Sequence, residues 1–78
     1  MTNLFVNMYL ERMLDRTFNA CREVLQSPLE DSCAVLVVSE RVHLTYELTE
    51  RCMIKLSYDG ALRHRDGKFA LARKGSLA

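Results

Sequence analysis

The chain has 78 residues, 49% hydrophobic and 27% charged, with three glycines and one proline; this excludes global disorder and leaves room for one small domain. Its net charge of +1 hides an asymmetry, since Arg63 to the end carries +4 and residues 1–62 carry −3. An acidic body with a basic C-terminal segment is a binding signal of its own.

Residues 3–26 read as one long helix. Leu14, Phe18, Cys21 and Leu25 form an apolar stripe at helical spacing, and Val6, Tyr9, Met13, Ala20 and Val24 form a second. Thr2 or Asn3 offers a capping oxygen to the free N–H groups of the first turn. Ser27-Pro28 ends the helix, because proline lacks an N–H and drives the residue before it to extended backbone. Two apolar stripes need two partners: the chain's own sheet for the first, another chain for the second. At ~1.5 Å per residue the helix is about 35 Å long, so its N-terminal end is expected to outrun the core.

Residues 28–39 carry two competing patterns. Ser27-Pro28-Leu29-Glu30 has the form of a capping box, and Leu29, Cys33, Leu36 and Val37 keep helical spacing. The run from Ala34 to Ser39 is short and rich in valine, however, which favours a buried strand at 33–39 after a turn at 28–31.

From Arg41 onward the period is two. Val42, Leu44, Tyr46 and Leu48 alternate with polar residues, and Cys52, Ile54, Leu56 and Tyr58 alternate again after a turn at Thr49-Glu50-Arg51. Asp59-Gly60 is the strongest hairpin signal, leading into a short strand at 61–65. Asp66-Gly67 is a second such turn before an edge strand at 68–73, whose lysine and arginine discourage unwanted pairing. Residues 74–78 read as a flexible tail. The pattern predicts a single α+β domain: one long N-terminal helix packed on a small antiparallel β-meander of three to five strands, spanning 33–73.

No residue constellation points to catalysis. Cys21, Cys33 and Cys52 are odd in number, lack paired spacing, and fall in segments that read as buried, which fits reduced thiols. Joined with His43 they make a poor zinc set, because structural zinc sites draw on closely spaced pairs. Nothing fixes the separation of Glu40, Glu47 and Glu50, the serines sit in no nucleophile elbow, and Gly60 and Gly67 are explained as turn glycines. The chain therefore reads as non-enzymatic, without cofactor or metal. With no secretory leader or membrane-length apolar run in the sequence, it also reads as cytoplasmic.

Two surfaces remain. Leu4, Phe5, Val6, Tyr9 and Met13 make the N-terminal helix a docking surface, since Tyr, Phe and Met are favoured in interface cores. They suggest a homodimeric regulator, inhibitor or adaptor that binds an unidentified protein partner. Arg63, Arg65, Lys68, Arg73 and Lys74 can instead contact an acidic partner or nucleic acid, the alternative being a nucleic-acid-binding regulator using residues 63–74.

Overall fold

The computed structural model describes residues 4–72, with side chains from Met8 onward. Its elements run α1 (Leu4–Val24), β1 (Leu29–Glu30), α2 (Asp31–Val42), α3 (Tyr46–Tyr58), β2 (Leu62–Arg65) and β3 (Lys68–Leu71). The α+β class and the small antiparallel sheet are as the sequence suggests. The expected strands at 33–39, 42–48 and 52–58 are not formed: the chain between residues 31 and 58 is mostly two helices.

α2 is helical despite its valines because the helix buries them. Ala34, Val35, Val38 and Val42 recur at helical spacing and all lie in the core. The intrinsic penalty for valine in a helix is at most ~0.7 kcal/mol per residue, whereas full burial of its side chain yields roughly 1.5–3 kcal/mol. Burial wins. The capping box at Ser27 is unused, since Glu30 occupies the N-cap without a side-chain bond. The Asp31 N–H instead donates to the Gly67 carbonyl at 3.0 Å, tying the start of α2 to the hairpin turn. His43 closes the other end in left-handed backbone (φ 59°), and the Leu44 N–H donates to the Ser39 carbonyl at 3.2 Å.

α3 starts at Thr45, whose side-chain oxygen accepts from the Leu48 N–H at 3.1 Å. Its buried face is Thr49, Cys52, Met53 and Leu56. Asp59-Gly60 is the end of this helix and not a hairpin. Gly60 takes φ 88°, its N–H donates to the Ser57 carbonyl, and the Ala61 N–H donates to the Leu56 carbonyl at 2.9 Å. That pair of bonds satisfies carbonyls otherwise stranded at the helix end.

Asp66-Gly67 does make the expected hairpin. Both residues have positive φ, 56° and 72°, the backbone of a type I′ turn. The register pairs Leu62 with Leu71, Arg63 with Ala70, His64 with Phe69 and Arg65 with Lys68. β1 adds to the other side of β3 through Leu29↔Phe69 and Glu30↔Lys68, giving the order β1-β3-β2.

Side chains alternate across the sheet. Leu29, Phe69, His64, Leu62 and Leu71 share the inner face; Glu30, Lys68, Arg65, Arg63 and Ala70 share the outer one. α2 packs on β1 and β3 and α3 on β2, while α1 lies across α2 and α3. The stripe expected to meet the sheet therefore meets helices: Cys21 and Leu25 are fully or almost fully buried, Leu14 and Phe18 pack at the margin, and Thr17, outside the expected stripe, is fully buried as well. Arg16 donates to the Val42 carbonyl at 2.6 Å, and Arg41 pairs with Glu23, which together fasten α1 to the end of α2.

Candidate functional site

α1 is 21 residues, about 31 Å at the helical rise, in a molecule whose longest extent is 38 Å. Its packed stretch begins at Met13, which is half-buried. Before it, Met8, Tyr9 and Leu10 are 51%, 71% and 42% exposed. This is the overhang that the sequence predicts. Tyr9 lies on it and Met13 at its base; Leu4, Phe5 and Val6 belong to the first turns of α1, and their side chains lie outside the described residues.

A second apolar surface lies on α2. Of the residues at helical spacing, Leu29 falls in β1 and packs on the core and Val37 is half-buried, whereas Cys33 and Leu36 face away from the core. Cys33 is exposed and Leu36 is 51% exposed, so the expectation that all three thiols are buried fails at Cys33. α2 is apolar on both sides, which made its inner face hard to single out from the sequence.

The basic residues are brought together by the hairpin register. Arg63, Arg65 and Lys68 are exposed and share the outer sheet face. Two rows cross that face: Arg63 beside Ala70, then Arg65, Lys68 and Glu30. A shallow depression of about 250 Å³ is lined by Pro28, Arg63, Arg65, Asp66, Lys68 and Ala70. A neighbouring one of about 480 Å³ shares Pro28, Arg63 and Ala70 and extends to Arg22, Gln26 and Ser27 at the end of α1. The two make one open trough floored by Ala70. Arg22 belongs to it although its spacing places it on the solvated side of α1; only the fold joins it to Arg63. Among the described residues, the arginine and lysine ion pairs are Arg41–Glu23 and Lys55–Asp59, so the four trough cations enter none. Arg73 and Lys74 lie outside the described residues.

Phe69, the one aromatic ring in the basic segment, faces inward and is 1% exposed. His64 stacks on it with ring centroids 4.2 Å apart and planes within 9°. The His64 Nε2 lies 3.0 Å from the Asp31 carboxylate. This group is a structural lid on the core, linking β2, β3 and the start of α2.

The remaining candidates are dispersed. Among the described residues no three His, Cys, Asp or Glu side chains gather closely enough to hold a metal ion. His43 is a helix cap, and Glu40 lies on α2 while Glu47 and Glu50 lie on α3. Burial pushes the Cys21 thiol up to about 12. The Cys52 thiol is also raised by burial, an effect opposed by the Thr17 hydroxyl beside it. These protonated thiols are poor nucleophiles. Among the described residues no helix is long and apolar enough to cross a membrane. Comparison with protein-family models, with curated proteins and with solved structures gives no match.

Proposed function

We propose that this protein is a small non-enzymatic binding module, a homodimeric regulator, inhibitor or adaptor of the cytoplasm that docks through the N-terminal end of α1. The overhang carries the reading: Met8, Tyr9 and Leu10 stand 42–71% exposed in succession, ahead of the point where α1 enters the core. An amphipathic helix of this kind binds by laying its apolar side on a partner surface. A second copy is the first partner, because two-fold dimers are the commonest assembly and a self-complementary helix end suffices to make one. Two overhangs packed against each other remove their Tyr and Met side chains from water, the residue types that dominate interface cores.

Light scattering at micromolar concentration tests this. The expected mass is about twice that of the chain. Met8→Asp with Tyr9→Asp introduces charge into the contact and should return the protein to monomer without loss of helicity, since both positions are solvent-exposed. A wild-type protein that stays monomeric and folded at millimolar concentration refutes the dimer; a dimer indifferent to the double substitution moves the contact elsewhere.

A further inference from the structure

We infer that the outer face of the sheet is a binding surface for single-stranded nucleic acid, read through its phosphodiester backbone. The trough described above collects Arg63, Arg65, Lys68 and Arg22 around a floor made by Ala70, with Pro28 and Ser27 as its other wall. No counter-ion pair occupies these four cations among the described residues. Residues two apart on a strand are about 6.8 Å from one another, so Arg63 and Arg65 present charge at a spacing close to that of successive phosphates in an extended strand. From Lys68 to Ala72 the floor runs about 14 Å at strand rise, room for a few nucleotides.

The composition of the trough selects the partner. A protein partner needs apolar or aromatic anchors in fitted pockets, and the apolar residues here, Pro28, Ala70 and the adjoining Leu25, Leu71 and Ala72, offer no large exposed side chain. Phosphate binding needs none, since counterion release supplies the free energy. Phe69 faces the core and gives no stacking platform on this side, so recognition is of backbone and not of bases. Glu30 beside Lys68 and Asp66 at the turn reduce the local charge from +4 to +2. They restrict tight contact to the Arg22–Arg63–Arg65 side.

The test is fluorescence anisotropy of the full chain with a labelled oligothymidine of about twelve nucleotides, titrated across salt concentration. Three tight phosphate contacts give a log–log salt slope of about −2.1 for a single strand, and Arg63→Ala with Arg65→Ala should reduce it to about −0.7. Arg63→Lys with Arg65→Lys should keep the slope, and Glu30→Gln should tighten binding. Arg51→Ala, on the exposed side of α3, should change nothing. The inference is overturned if oligothymidine fails to bind at low salt. It is also overturned if the double alanine variant, folded by circular dichroism, keeps the wild-type slope. Equal affinity for polyglutamate makes the surface a site for acidic proteins, and tighter binding of duplex excludes the single strand.

Discussion

Two threonines sit where a hydroxyl has no partner. Thr17 and Thr49 are both 0% exposed, and neither side-chain oxygen reaches a hydrogen-bond acceptor or donor in good geometry. Thr17 at least lies beside the Cys52 thiol, a weak partner. Thr49 has nothing, and this contrasts with Ser39 and Ser57, whose hydroxyls donate to the Leu36 and Ile54 carbonyls at 2.8 and 2.7 Å. Burying an unpartnered hydroxyl costs about 1–3 kcal/mol on mutational scales. Thr49→Val keeps the branched shape and removes that cost, against a small loss of helix propensity shared by both residues. The expected gain is about 1 kcal/mol, which in a domain of this size raises the melting temperature by ~4–8 °C. Thr49→Ser keeps the hydroxyl and deletes a buried methyl, so it should destabilise by about 1 kcal/mol. Thermal and urea unfolding followed by circular dichroism reads both, with the urea slope unchanged. A lower melting temperature for Thr49→Val refutes the reasoning, because it means that the hydroxyl is hydrogen-bonded in solution.

Other expectations follow from the same structure. Ellman's reagent should label Cys33 at once and Cys21 and Cys52 only on unfolding, given their exposure; three equally fast thiols contradict the packing of α1 on α3. The Cys21 thiol titrates near 9.0 when unfolded and is pushed up to about 12 when folded. Its contribution is therefore complete below pH 9 and is lost as pH rises from there toward 12, at up to ~1.4 kcal/mol per unit. Cys21→Ala should flatten the alkaline limb of a stability–pH curve, and an unchanged limb rejects that cause. His43→Gly relieves left-handed backbone at a non-glycine residue and should stabilise by roughly 0.5–1 kcal/mol in urea titration. Phe69→Ala removes the largest fully buried side chain among the described residues and the surface on which His64 stacks, so it should cost about 3–5 kcal/mol and leave little folded protein.

The parts of the fold that were legible in the sequence are those with one physical meaning. α1 has helical spacing and a proline stop, although Ala20 and Val24 of the stripe assigned to another chain pack into this chain's own core, and Asp66-Gly67 lies between two short strands. The middle of the chain was ambiguous because two periods coincide there. Leu44, Leu48, Cys52 and Leu56 are four apart, which satisfies both a period of two and one helical face; Thr49 and Met53, buried beside them, belong only to the helix. Thr45 as an N-cap and Glu50 as a break in the alternation were the available clues. Asp59-Gly60 misled for a related reason: a helix end and a tight hairpin both demand positive φ at glycine. In the candidate surfaces, the overhang followed from helix length alone. The trough did not, since Arg22 and Arg63 are 41 positions apart and meet only through the β1–β3 pairing.

That pairing also orders events in time. β3 is the last described element in the chain and the central strand of the sheet, flanked by β1 and β2. Neither flanking strand has a neighbour until β3 arrives, and Phe69, which β3 carries, completes the core shared by Val35, Val38 and Met53. A nascent chain that has emerged only as far as α3 can pack α1 on α2 and α3, but the sides of those helices that meet the sheet stay uncovered. The interval between synthesis of Tyr58 and release of Leu71 is thus the period when this protein is most open to aggregation and to chaperones.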